Sequence, residues 1–495
     1  MATQHPDNAC KTYFTGKRAL SSQDEIEECY RCFSELGIHE YMWDWEGKFV
    51  DEAVVDRLYN TYHDYFQKHP LGRDEFLTFR IPNIWIESSH KLPRAFMNLL
   101  SSEKAALHYK FHSPPLFEII LPMTTRADQL IYLQKAFSKI ATATEEIFEL
   151  KTVLSVLSII PLFEELKIVE KAPEILREYV HFLKEEYDAY PEYLRVFTAR
   201  SDPALNAGFL SAKLMNKLAL HLYQEFESES GIPVYPIVGA GSLPFRGGLN
   251  PENIDAAIEE YKGVATLTIQ SAFRYDYDYE TVKKIIEKIN TEIPKNRGKS
   301  QKISPEEQKL LRKFTNAAEK FYRPIIESSA EMINAVAEKL PSHRERVLHI
   351  GLFGYSRGMG KVQLPRAIHF TGALYSLGVP PELIGSGRAL RFAKEQGMLD
   401  LINTLCPYLK EDFRHAGHYL NRENLDHLCK EDPLWEEVKN EIQDIEKHVG
   451  IPIGPEESHH IIHRNFTSNI YHKLKIGEDF SEDILQAAEI RKSLG

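Results

Sequence analysis

Residues 351–370 read GLFGYSRGMGKVQLPRAIHF, with Gly351, Gly354, Gly358 and Gly360 set among Arg357, Lys361 and Arg366. Glycine lets backbone come close to a ligand, and N–H groups opening a helix favour anions. Three cations beside such a turn suit a small carboxylate or phosphate. A glycine-rich turn flanked by solvated basic residues is the alternative reading. A nucleotide-binding P-loop is excluded by spacing: Tyr355 stands where that motif needs glycine, and Val362 where it needs Ser or Thr.

More charge waits at the ends of short apolar runs. Phe76 to Phe79 leads to Arg80, Val156 to Phe163 to Glu164, and Tyr193 to Thr198 to Arg200 and Asp202. Val234 to Val238 leads into a Gly-Ser turn with Arg246, and Ala265 to Ile269 into Gln270 and Arg274. So many guanidiniums sharing one cavity require a multiply charged anion and acidic partners. Two carboxylates on neighbouring strand ends suffice for Mg²⁺ or Mn²⁺, which keeps waters and takes substrate oxygens. Such an ion stabilises an enolate oxygen as charge develops.

The elements that must position these groups follow from the same runs. With Leu116 to Leu121, Val347 to Phe353 and Glu382 to Ile384, the runs number eight, most of them separated by helical stretches. Continuous apolar runs fit parallel strands buried on both faces. The expectation is an α/β fold: a (β/α)8 TIM-like barrel with many additional helices, helix-rich overall, its chemistry at the carboxyl ends of the strands. The barrel is expected over about 70–400 and a helical C-terminal extension over about 400–495, as a single catalytic unit. Residues 23–72 read as helical, with Trp43 and Trp45 in the core, and 288–308 as a breaker-rich surface connection or lid.

The 495 residues carry a net charge of −12 and are 43% hydrophobic and 27% charged, an ordinary globular balance that argues against nucleic acid as main partner. The longest apolar runs fall short of the roughly 20 residues of a membrane span, and MATQHPDNAC lacks the pattern of a secretory signal. Five cysteines form no disulfide framework, which suits a reducing, cytoplasmic setting. Cys29 and Cys32 make a CxxC inside a helical pattern, without the second pair that zinc would need. His459, His460 and His463 lack matching carboxylates and read as helix-end or interface residues rather than metal ligands.

TQHPDN, IPLFEEL, ARSDPALNAG, GSLPFRGG, QSAFRYD and GYSRGMGKVQLPRAIHFTGALYSLG together resemble the smaller, archaeal-type phosphoenolpyruvate carboxylases, in order from His5 to about Lys475. The resemblance implies an α/β barrel enzyme that converts phosphoenolpyruvate and bicarbonate to oxaloacetate and phosphate with Mg²⁺ or Mn²⁺. It implies carboxyphosphate and a metal-bound enolate as intermediates, and a cytoplasmic, anaplerotic homotetramer fixing carbon dioxide, acting on small molecules with neither nucleic acid nor membrane as partner.

By motif, His5 resembles the family's general base, and Glu164 and Asp202 its metal ligands. Arg246 resembles the arginine of the glycine-rich motif, Arg357 and Arg366 two later substrate-binding arginines, and Arg80 a further phosphate binder. Arg246 and Arg357 are expected in catalysis. Arg200, Gln270, Arg274 and Lys361 complete the expected substrate-binding set. Two departures from the larger bacterial and plant enzymes stand out: Leu205 replaces a lysine, and RGGLNPEN lacks a histidine and a second arginine. The competing readings are another phosphoenolpyruvate or oxo-acid barrel, such as a phosphotransferase or C–C lyase, and a non-enzymatic helical scaffold.

Overall fold

The computed structural model describes residues 1–4, 11–17, 20–45, 50–86, 90–154, 156–341 and 362–493. Eight parallel strands run in sequence order: β1 (Ala2–Thr3), β2 (Glu40–Asp44), β3 (Phe76–Arg80), β4 (Glu118–Leu121), β5 (Ser158–Phe163), β6 (Leu194–Ala199), β7 (Val234–Gly239) and β8 (Thr266–Thr268). The sheet curls until its edges meet. Thr3 N–H donates to Ile269 O at 3.0 Å, and Ile269 N–H to Met1 O at 2.9 Å. The helix-rich (β/α)8 barrel expected from the sequence is therefore the fold.

Met42, Ile120, Ile160, Leu162, Phe197 and Ile237 fill the barrel interior. A larger apolar layer lies between the strands and the helices around them, and includes buried Trp43 and Trp45. Near the amino ends of the strands, Arg195 pairs with Glu40 and Glu118 across the lumen. Burial alone would raise the Glu40 carboxyl, but the Arg195 guanidinium beside it holds it below its ordinary value. In barrels this end stabilises, while the carboxyl ends of the strands carry chemistry.

One expected strand is corrected. Glu382 to Ile384 is not a strand: Pro381–Leu383 forms a 3₁₀ turn, since Pro380 and Pro381 offer no N–H to a ladder. Val347 to Phe353 lies outside the described residues. Among the described residues the eight strands include β1 and β2, which were not expected from the sequence, so the sheet begins well before residue 70. β2 interrupts the stretch expected to be helical, because EYMWD is buried throughout. The 288–308 stretch is also mostly ordered. Helix Tyr279–Asn296 runs into it, and helix Pro305–Ser328 opens with a reciprocal Ser304–Glu307 cap.

A second apolar core joins helices Ser201–Ala207, Phe209–Ser230 and Pro305–Ser328 to the helical C-terminal part. It packs against the barrel through the turn after β7, where Phe245 is fully buried. His460 caps a helix there, its Nδ1 accepting from the backbone N–H of Glu457 at 3.2 Å. Cys29 and Cys32 are buried within helix Ser22–Ser34. No helix among the described residues is long and apolar enough to cross a membrane.

Candidate active site

The carboxyl ends of consecutive strands bring most of the described candidates to one end of the barrel. Glu164 follows β5 directly and is 6% exposed. Asp202 sits in the first turn of helix Ser201–Ala207, just after β6, and is partly exposed. β5 and β6 are neighbours, with Phe163 opposite Thr198, so the two carboxyl groups leave adjacent strands at the same end. Glu164 lines a cleft of about 680 Å³ with Met123, Gln129, Asn206 and Met215.

Glu164 and Asp202, at neighbouring strand ends, are the described residues that could hold a hard divalent cation. Two carboxylates offer charge and oxygen, and among the described residues no group of three or more His, Cys, Asp or Glu side chains is placed to hold a metal. A site with few protein oxygens leaves the rest of the coordination to water and substrate, the habit of Mg²⁺ and Mn²⁺.

Arg246 is presented by the turn after β7, a 3₁₀ segment Pro244–Arg246. The turn closes on itself through Gly241 N–H to Arg246 O at 2.8 Å and Gly248 N–H to Leu243 O at 2.9 Å. Space is tight at Gly241, and conformation and space together call for glycine at Gly247. A Cβ on Gly241 would lie 3.0 Å from the Arg246 guanidinium carbon, and Gly247 has φ +125°, with Ala240 Cβ 2.8 Å from where its own Cβ would stand. Arg246 Nη2 donates to Gln270 Oε1, just beyond β8, and both side chains are buried.

Arg80, the last residue of β3, makes a bidentate pair with Asp44 at the end of β2, at 2.8 and 2.6 Å. Asp44 is 1% exposed and was not among the residues singled out from the sequence. Its signal was an acid closing a run with two tryptophans, a pattern hidden inside an apparent helix.

Arg200 and Arg274, which also follow strands, are held by neighbours within the chain. Arg200 donates to the carbonyls of Phe245 and Pro244 at 3.2 and 3.3 Å, and its guanidinium lies over the Phe209 ring. It grips the Arg246 turn from behind. Arg274 is 1% exposed. It donates to Thr3 O at 2.9 Å and Cys32 Sγ at 3.1 Å, and pairs with Glu28 at 3.2 Å. These partners place it in the packing between β1 and helix Ser22–Ser34, where it holds β1.

That strand leads toward His5. Gln4, fully buried, receives the Asp44 N–H at 2.9 Å and donates to Glu25 at 2.5 Å. His5, Arg357 and Lys361 lie outside the described residues. Arg366 is the N-cap of helix Ala367–Ser376 and is partly exposed. Leu205, at the position of the larger enzymes' lysine, is packed into the second apolar core.

Comparison with known proteins agrees with this architecture. The phosphoenolpyruvate carboxylase family profile matches residues 1–495. A phosphoenolpyruvate carboxylase from Leuconostoc mesenteroides is 42% identical over 459 residues, covering 92% of this chain and 90% of that protein. Those of Metallosphaera sedula and Methanothermobacter thermautotrophicus are each 38% identical, covering 100% of this chain and 99% of theirs. A full-length profile match, together with archaeal and bacterial relatives of matching length, places this barrel: the chain belongs to the phosphoenolpyruvate carboxylase family, in its archaeal-type form.

Proposed function

We propose that this enzyme carboxylates phosphoenolpyruvate in two chemical stages at the carboxyl end of the barrel. An oxygen of bicarbonate attacks phosphorus, and the bond from phosphorus to the enol oxygen breaks. The products are carboxyphosphate and the enolate of pyruvate. His5 then takes the carboxyl proton of carboxyphosphate, whose C–O bond breaks to give carbon dioxide and inorganic phosphate. The enolate carbon attacks carbon dioxide before water can protonate it, giving oxaloacetate.

Glu164 and Asp202 would hold the Mg²⁺ or Mn²⁺, which supplies a Lewis acid for oxygen atoms that gain charge. Arg246, oriented by Gln270, and Arg357 offset the charge of the transferring phosphoryl group, because positioning and electrostatics dominate such transfers. Arg80, Lys361 and Arg366 bind the substrate anions. Arg200 and Arg274 act at one remove, through the Arg246 turn and through β1. The observation that best supports this reading is that Glu164, the Asp202 helix and the Arg246–Gln270 pair leave successive strands at one end.

We take the chain as one catalytic unit, with about 400–495 a helical extension. We assign it to a cytoplasmic homotetramer that replenishes oxaloacetate. Three of the four cysteines among the described residues are buried in the fold, which suits a reducing compartment.

An assay coupled to oxaloacetate reduction tests the activity. Oxaloacetate should form only when phosphoenolpyruvate, bicarbonate and Mg²⁺ or Mn²⁺ are all present. Phosphate release that ignores bicarbonate, or that requires a nucleotide, would instead indicate a phosphatase or phosphotransferase on the same barrel.

A further inference from the structure

Glu382 is far from the strand ends in sequence, yet it touches the segment that carries Arg246. Its carboxyl is wholly buried in the Pro381–Leu383 turn of the second core. One oxygen, Oε1, accepts from the Phe245 N–H at 2.7 Å and from the Tyr375 hydroxyl at 2.7 Å. Phe245 directly precedes Arg246. Tyr375 belongs to helix Ala367–Ser376, whose N-cap is Arg366. One carboxyl oxygen therefore fastens together two segments that each carry an arginine of the proposed site. The contact is reinforced by Phe245 against Phe370 of the same helix, with ring centroids 5.8 Å apart.

The turn is gripped from both sides. Arg200, from the barrel, holds the carbonyls of Pro244 and Phe245, while Glu382, from the helical body, holds the Phe245 N–H. A buried carboxylate costs stability unless something offsets it, and burial pushes this carboxyl up to about 7 despite the bonds from Tyr375 and Phe245. Among the described residues Oε2 has no hydrogen-bond partner. A proton there leaves both bonds to Oε1 in place, so the service rendered is acceptance by one oxygen and not negative charge. A leucine or methionine there would leave the buried Phe245 N–H and Tyr375 hydroxyl without this acceptor.

We propose that Glu382 is a positioning residue for the carboxylation reaction, fixing the Pro244–Arg246 turn against helix Ala367–Ser376. The inference rests on the assignment of Arg246 to the transition state. Misplacing a catalytic group by about 1 Å costs on the order of 10²-fold in rate. Glu382→Met keeps the side-chain length and removes the acceptor, and kcat per folded molecule should fall about 10²-fold with KM for phosphoenolpyruvate little changed. Glu382→Gln retains the accepting oxygen and should restore most of kcat.

Arg246→Ala and the double variant complete a cycle. If Glu382 acts through Arg246, the double variant is no slower than Arg246→Ala alone. Multiplicative losses, or a Glu382→Met variant that loses only melting temperature, would overturn the proposal. If Glu382→Met does not fold, Tyr375→Phe takes its place: it frees one of the two fastenings and should lower kcat, and an unchanged kcat overturns the idea. A fully active Arg246→Ala would instead refute the assignment of Arg246, whereas a crippled Arg246→Ala beside an unimpaired Glu382→Met would refute only the role of Glu382.

Discussion

Replacing His5 by asparagine should leave phosphate release from phosphoenolpyruvate measurable while oxaloacetate formation falls by about 10²- to 10⁴-fold, the usual contribution of a positioned base. On the proposed mechanism the two products separate, because only its second stage uses His5. Phosphoryl transfer from phosphoenolpyruvate to bicarbonate depends on cations, whereas release of carbon dioxide depends on removing a proton. The residues before His5 are fastened to the barrel. Arg274 secures the Thr3 carbonyl, and Gln4 is bonded to Met42, Asp44 and Glu25. Parallel measurement of phosphate and oxaloacetate gives a ratio near unity for the parent enzyme and an excess of phosphate for the variant. A variant that carboxylates at the parent rate would show that another group takes the proton.

Glu164→Gln and Asp202→Asn should each reduce kcat/KM by about 10³-fold at a metal concentration that saturates the parent. The figure corresponds to several kcal/mol of Lewis-acid stabilisation at about 1.4 kcal/mol per tenfold. Both substitutions keep size and remove charge. Titration with Mn²⁺ separates the two steps at issue: a metal ligand gives partial recovery at high metal, while a residue that only shapes the cleft gives none. Glu164 is buried and Asp202 partly exposed, so melting curves should accompany the first variant.

The barrel was legible because β3 to β8 are short, mainly apolar runs, as parallel strands covered on both faces are, and several of them lead directly into charge. β1 and β2 escaped notice for opposite reasons. Two residues, Ala2–Thr3, make no periodic signal at all. Glu40–Asp44 begins and ends on acids whose partners, Arg195 and Arg80, lie on other strands. A charge compensated across a barrel looks like a surface charge until the strands are side by side. Glu382 to Ile384 shows the converse error, an apolar run that belongs to a helical core.

At the site, residue type and strand-end position were readable, but side-chain direction was not. Arg246, Arg200 and Arg274 all follow strands and looked alike in the sequence. One is held beside Gln270, one is spent on carbonyls of the neighbouring turn, and one is locked against Glu28 and Thr3. Asp44 and Glu382 were missed because their importance lies in contacts of distant sequence. Such contacts leave no local pattern.

The chemistry at the barrel mouth is tested most directly by bicarbonate carrying ¹⁸O in all its oxygens, with product analysis before exchange with water. If bicarbonate oxygen attacks phosphorus, the phosphate formed carries one labelled oxygen and the new carboxylate of oxaloacetate carries the other two. Unlabelled phosphate alongside labelled oxaloacetate would contradict the account, because water, and not bicarbonate, would then have accepted the phosphoryl group.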